Sequence, residues 1–321
     1  VSVTGAGSGP VRRWLDERVG LGPLVRVLFL RNVPLGVGVL YTLGFAAAFC
    51  FALQASTGVI LALYYAPTPD HAYDSVTYLS TLPFGSFVRG LHHWGASAMV
   101  VLVLLHLVVV FSLAAYRRPR EGTWLMGVAL LLLTLGFGFT GYLLPWDEKA
   151  YWATNVGTNM AGTTPLVGES LLRVVRGGTE LGAAALTRFY AVHVLILPAL
   201  LGAFLAAHVA LVIWHGVSVP PSLWDDAAAA DIAGGGAPAQ EAADRYGAFK
   251  QRGRPFWPNV IFEDLVIALV VFIILAALAA TQGAPLEAQA DPTDSSYVPR
   301  PEWYFLFLYQ LLRYIPGQWE W

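Results

Sequence analysis

Five long apolar stretches govern what this chain can become: Leu35 to Tyr65, Leu91 to Tyr116, Thr123 to Leu144, Phe189 to Trp214 and Val260 to Thr281. Each reaches the roughly 20 residues that an α-helix needs to cross a bilayer. Inside hydrocarbon the backbone must satisfy its own N–H and C=O groups, which a helix does within one segment. The expectation is an all-α polytopic integral membrane helical bundle with about five transmembrane helices, the first long enough to tilt. Composition removes the alternatives. Of 321 residues, 56% are hydrophobic and 12% charged, about half the charge of a soluble domain, which is roughly 25%; the mean hydropathy is +0.58. Disorder needs the opposite balance. A net charge of -2 offers no general attraction to nucleic acid, and no such partner is expected. The single cysteine, Cys50, leaves no internal disulfide, no Cys-only metal site and no paired thiols for haem attachment.

The flanks set the orientation. Basic residues gather before the first stretch (Arg12, Arg13, Arg18, Arg26, Arg31), after the second (Arg117, Arg118, Arg120) and between the fourth and fifth (Arg245 to Arg254). With five crossings these regions share one side, which the positive-inside rule makes cytoplasmic. The N-terminus is thus expected in the cytoplasm, and its first 34 residues read as an amphipathic surface segment rather than a cleaved leader. The opposite loops carry aromatic clusters and should form surface helices. The Ala- and Gly-rich run Asp225 to Asp244 reads as a tether.

Of the seven histidines, His92 and His106 lie on the second stretch, and His193 and His208 on the fourth. At 100° per residue, the first pair falls about 40° short of four turns and the second overshoots by about 60°, so each pair shares a helix face. Each pair spans about 21 to 22 Å along its axis. The second and fourth stretches run in the same direction, which sets His92 opposite His193 and His106 opposite His208 at two depths. Opposed imidazoles suit axial ligation of haem iron. A lone membrane histidine also serves by bonding a helix carbonyl, and histidines line proton and metal routes; few carboxylates accompany these four. Glycine supplies a second pattern. Gly44 and Gly58 on the first stretch, and Gly127 and Gly141 on the third, repeat the fourteen-residue spacing, and a porphyrin edge approaches a helix closely where no side chain intervenes. Glycines also pack helix against helix in membranes.

Together these readings divide the chain into an N-terminal surface segment (1–34), a four-helix di-haem b core (35–216), a flexible tether (217–259), and a fifth transmembrane helix with a C-terminal aromatic segment (260–321).

The motifs RGLHHWGAS (89–97), GYLLPWD (141–147), TRFYAVH (187–193) and PEWYFLFLYQLLRYIP (301–316), with WLDERVG (14–20) and QASTG (54–58), resemble the cytochrome b of Rieske/cytochrome bc complexes, a family of quinol oxidoreductases. The resemblance covers nearly the whole chain. It implies two bis-histidine haems b, a low-potential one on His92 and His193 at the outer side and a high-potential one on His106 and His208 at the inner side. Arg89 matches the arginine that neutralises a haem propionate. Glu302 matches the acid that takes a quinol proton, in a pocket that Tyr142, Tyr309, Pro301, Trp303 and Tyr304 help form, closed by a surface helix within 145–159. Asp264 matches an acid at the inner quinone site; an acid at a helix N-terminus is equally favoured by the dipole.

The fifteen-residue spacing of His193 and His208, with PREGTW (119–124), is closer to the photosynthetic and menaquinol branches. Where those branches attach an extra haem through a cysteine, this chain has Thr42, so no covalent haem c is expected. Val109 and Ile213 replace basic residues of the inner side, a place His215 is able to fill. The resemblance implies a Rieske iron–sulfur protein and a c-type cytochrome subunit as partners, and a homodimeric complex in a bacterial cytoplasmic membrane. Family members carry helices beyond the PEWY motif, expected here from another membrane polypeptide unless the sequence is incomplete. The expected cycle oxidises quinol at the outer side, splits its electrons between the Rieske protein and the low-potential haem, and adds to the proton gradient. Two other readings stand beside it: a di-haem anchor of another quinone-linked oxidoreductase without bifurcation, and a non-redox membrane transporter.

Overall fold

The computed structural model describes residues 10–178, 180–218, 244, 246–248, 250–294 and 296–314. Most of the tether (219–243) and Arg245 lie outside the described residues, as do the side chains of Arg12, Arg13 and Tyr309. Among the described residues the regular structure is helical apart from one short antiparallel strand pair and an isolated bridge between Asp147 and Gln289. The N-terminal segment forms α1 (Pro10–Val19) and α2 (Leu21–Leu28), separated at Gly20, whose φ of 66° suits a residue without a Cβ. After β1 (Asn32–Val33) come α3 (Leu43–Ala62), α4 (Ala72–Thr81), α5 (Pro83–Ser112), α6 (Glu121–Tyr142), α7 (Glu148–Gly162) and α8 (Gly168–Arg176). Next are α9 (Ala183–Ala191) and α10 (Leu197–His215), joined through a wide π turn at Val192–Ile196. β2 (Arg254–Pro255), α11 (Ile261–Thr281) and α12 (Leu306–Arg313) complete the order.

Five of these helical runs are long and apolar enough to cross a membrane: Val39–Ala62, Pro83–Ser112, Glu121–Tyr142, Ala183–His215 and Phe256–Thr281. All five expected spans are present, with shifted ends. The second starts at Pro83 rather than Leu91, because proline lacks an N–H that the first helical turn leaves unpaired anyway. Its added turns carry Arg89, a residue that apolarity alone cannot place on the helix. The fourth starts at Ala183, and the fifth at Phe256, inside what the sequence assigns to the tether. The spans keep large apolar side chains outward, as Phe262, Leu269 and Ile273 do on α11. Lipid takes the place of a protein core there.

The described residues form two compact units. One draws on residues 10–45, 106–127 and the described part of 206–269, the other on 46–105 and the described parts of 128–205 and 270–314. In the first, β1 pairs with β2 through Asn32 opposite Pro255 and Val33 opposite Arg254, over a small cluster of Val33, Val37 and Val260. Arg254 donates two hydrogen bonds to Glu263 at 2.6 Å each and one to the Val37 carbonyl. Arg120, which is buried, donates to the carbonyls of Gly216 and Val217.

In the second unit, Cys50, Leu91, Met99, Leu201 and Leu275 pack into one cluster, and Leu143, Trp146, Leu186 and Phe189 into another. Asp147 caps α7, its carboxylate accepting from the Ala150 N–H at 2.8 Å. Buried Arg176 at the end of α8 donates to Thr158, Asn155 and Asn159 of α7. The segment after α11 is tied down by backbone bonds from Glu148 to Ala288 and from Ala290 to Trp146, and by the Trp94 indole donating to the Gly283 carbonyl at 2.7 Å.

Candidate functional site

In the second unit, His92 of α5 and His193 of the π turn face each other with ring centroids 6.4 Å apart. In the first unit, His106 of α5 and His208 of α10 do the same at 6.5 Å. The pairings are those that helix direction implied. Two metal–nitrogen bonds of about 2 Å, with roughly 1.1 Å from each nitrogen to its ring centre, sum to roughly 6.2 Å. Both separations therefore match two imidazoles held on opposite faces of one metal.

The second nitrogen of three of these rings, those of His92, His193 and His208, is committed elsewhere. The Thr57 hydroxyl donates to the Leu53 carbonyl at 2.7 Å, so its oxygen accepts from His92 Nδ1–H at 2.9 Å. Thr140 likewise donates to Gly136 at 2.8 Å and accepts from His193 Nδ1–H at 3.1 Å. His208 Nδ1–H donates to the Thr123 carbonyl at 3.0 Å, a group that only accepts. With the proton assigned to Nδ1 by this network, each Nε2 keeps its lone pair for a metal. These partners escaped the sequence reading, although Thr57 stands in the QASTG motif and Thr140 directly precedes Gly141.

Each of the four spaced glycines lies against one histidine. A Cβ would lie 3.1 Å from His106 Cε1 at Gly44, 3.3 Å from His92 at Gly58, 3.4 Å from His208 at Gly127 and 2.6 Å from His193 at Gly141. A side chain at Gly44, Gly58 or Gly141 would press on the imidazole, and one at Gly127 would touch it. A ring spacing suited to one metal, an Nδ1 engaged elsewhere in three of the four rings and a side-chain-free cradle fit a bis-histidine haem at both pairs.

The His92–His193 pair opens into a cavity of about 400 Å³ whose wall also includes Gly58, Gly141, Arg89, Tyr142, Glu302 and Tyr304. Arg89 donates to the carbonyls of Ala284 and Pro285 and to Ser80 Oγ. Glu302 Oε1 accepts from Lys149 Nζ at 2.8 Å, both side chains being part-buried. Tyr142 donates to the Arg300 carbonyl at 3.1 Å, beside Pro301. Tyr304 is buried against Gly138, where a Cβ would come within 2.9 Å of its ring. Burial and the nearby Glu302 charge push the Tyr304 phenol well above its usual pKa, so it stays a hydrogen-bond donor. Trp303 is half exposed, with its indole toward Ser97 at 3.4 Å. Tyr309 lies on α12, where only its backbone is described. α7 covers most of 145–159, where a surface helix is expected, and it delivers Lys149, which the sequence reading passed over.

In the first unit, Asp264 is buried in the first turn of α11, next to Glu263, which Arg254 occupies. Arg31 stacks over Phe256 at 4.5 Å. Burial lowers the Arg31 pKa, while Tyr246 and Asp264 act against that. The helix-terminus and quinone-site readings of Asp264 both accord with this placement.

The family described as Cytochrome b/b6/petB matches residues 30–216. Cytochrome b6 of Synechococcus sp. (strain RCC307) is 40% identical over 216 residues, covering 67% of this chain and 99% of that protein. Cytochrome b6 of Prochlorococcus marinus (strain NATL1A) is 38% identical over the same shares. Among solved structures, a chain of a hyperthermophilic respiratory Complex III superposes with a TM-score of 0.78 at 28% identity, covering 96% of this chain and 78% of that one.

Proposed function

The chain belongs to the cytochrome b/b6 family, and from that premise we infer that it is the membrane-embedded cytochrome b subunit of a bc-type complex that oxidises quinol. Its redox role and its place in the membrane come with that family and with its five apolar spans. Haem b comes with the family too; two haems, ligated by His92 with His193 and by His106 with His208, are our assignment. The observation that carries it is the pair of opposed imidazoles at 6.4 and 6.5 Å. When bound, a haem b at each pair supplies a one-electron carrier.

The chain's own residues do the rest. Thr57, Thr140 and the Thr123 carbonyl fix the tautomer and aim of their imidazoles. Gly44, Gly58, Gly127 and Gly141 keep side chains clear of the rings, and Arg89 brings positive charge to the wall beside His92. Quinol enters the cavity between Tyr142 and the segment Pro301, Glu302, Trp303 and Tyr304, with Tyr309 following on α12. A quinol hydroxyl gives its proton to the Glu302 carboxylate, which faces a site from which much water is excluded. One electron leaves to a mobile Rieske iron–sulfur partner and onward to a c-type cytochrome, while the other stays in this subunit and crosses the membrane. Asp264 serves the reduction of quinone on the inner side. We place the complex, as a homodimer, in a bacterial cytoplasmic membrane with the N-terminus in the cytoplasm, the side on which its arginines collect.

A redox-titrated, reduced-minus-oxidised spectrum of the purified complex tests the reading. Two b-type components are expected, and His208→Ala should remove the higher-potential one alone. Unchanged haem content in that variant, or a colourless preparation, overturns it.

A further inference from the structure

Lys149 is the second residue of α7, in the first turn, where the helix dipole is positive and disfavours a cation. Its ammonium bonds Glu302 Oε1 at 2.8 Å and lies 5.8 Å from the centre of the Tyr142 ring. The relative exposures are 27% for the Lys149 side chain and 19% for that of Glu302, so water screens the pair only in part. Both line the cavity that reaches His92 and His193. Besides His92 and His193, the other ionisable groups on that wall are His93 and Arg89 from α5, Tyr142 from α6, Asp147 ahead of α7, Glu287 after α11, Tyr304, and Tyr64, Tyr65 and Tyr190. Arg89 is engaged by the Ala284 and Pro285 carbonyls, and Asp147 by the N–H groups of Ala150 and Glu287. Lys149 is the cation bonded to Glu302 among the described residues.

We propose that Lys149 positions Glu302: its ammonium holds the carboxylate turned into the cavity, and yields that place to the hydroxyl of an arriving quinol. This rests on Glu302 as the group that takes the quinol proton. In the exchange one ammonium–carboxylate hydrogen bond breaks and one hydroxyl–carboxylate hydrogen bond forms; Lys149 keeps its proton and no electron moves. Proton transfer to Glu302 then follows. An adjacent ammonium favours the ionised form of a carboxyl group, so its removal should show in the pH dependence of the step.

The test uses the whole purified complex and a short-tailed quinol analogue, with steady-state oxidation followed across pH and haem content measured for assembly. The acid limb of kcat/KM reports the essential base of the free enzyme. Lys149→Met should move that limb upward by about one pH unit, a loss of about ten-fold on the acid side, while Lys149→Arg keeps the wild-type limb. Lys149→Gln carries the same expectation as Lys149→Met and stands in for it should that variant fail to assemble. A limb that stays in place in a charge-removed variant with full haem content overturns the proposal, because a merely structural lysine would lower the rate without moving the profile. Glu302→Gln separates the two ideas: a wild-type rate and profile there overturn the role of Glu302 itself, and the lysine proposal with it.

Discussion

The Thr57 oxygen accepts from His92 Nδ1 at 2.9 Å while its own hydrogen goes to the Leu53 carbonyl at 2.7 Å. Such a partner makes a ligating imidazole more basic and favours the oxidised metal. Thr57→Val keeps the volume and removes the acceptor. It should raise the midpoint potential of the component at His92 and His193 by about 40 mV, the one-electron equivalent of about 1 kcal/mol. The component at His106 and His208 should not move. Potentiometric titration of both components decides it, and equal shifts in the two would sink the link between Thr57 and His92.

The four glycines grade a second expectation. A Cβ would reach 2.6 Å from His193 Cε1 at Gly141, closer than carbons ever sit, but 3.4 Å from His208 Cε1 at Gly127, close to ordinary contact. Gly141→Ala should displace His193 and abolish the spectrum of that pair, with Gly127→Ala the milder change. Haem content per complex, read component by component, gives the ranking. A Gly127→Ala complex that loses its component while Gly141→Ala keeps its own would show that the imidazoles are not what these glycines accommodate.

Much of this site was readable because its residue types are rare where they stand. Imidazoles in apolar helices demand partners, and the helical period converts spacings of fourteen and fifteen into shared faces before any fold is known. The ends of the spans were less readable: Arg89 and the residues around Pro83 look like loop when apolarity is the criterion, yet they continue α5. Lys149 and Glu302 lie 153 positions apart, and nothing local marks either as the other's partner. Thr57 was visible as part of a motif, but its bond to His92 depends on how α3 and α5 rotate against one another. The Arg176 clamp between α7 and α8 was hidden for the same reason.

That clamp carries its own expectation. Arg176 is buried, and its guanidinium reaches the Thr158 hydroxyl at 2.8 Å, Asn155 Oδ1 at 2.8 Å and Asn159 Oδ1 at 3.0 Å. Arg176→Met fills similar space but strands these acceptors, at a cost of about 2 to 4 kcal/mol. The α7–α8 hairpin should become the first site of limited proteolysis and the melting temperature should fall, with the spectrum at His106 and His208 unchanged. Cleavage that starts elsewhere at the wild-type rate would argue that α7 and α8 are held by their apolar contacts alone.

Asp147 gives a pH-dependent case. Burial raises its carboxyl above the ordinary value of 3.8, although the N–H groups of Ala150 and Glu287 pull the other way. The folded protein therefore holds this proton to a higher pH than the unfolded chain. Between 3.8 and the raised value the folded state binds more protons, so this residue's contribution to stability falls as pH rises through that window and is fully lost above it. Asp147→Asn still accepts the Ala150 N–H as a helix cap but has no charge to desolvate. The melting temperature of Asp147→Asn relative to wild type should thus be higher at about pH 7 than at about pH 4. A difference that grows toward acid would mean that the two backbone N–H groups outweigh burial, and that the carboxylate of Asp147 stabilises the turn into α7.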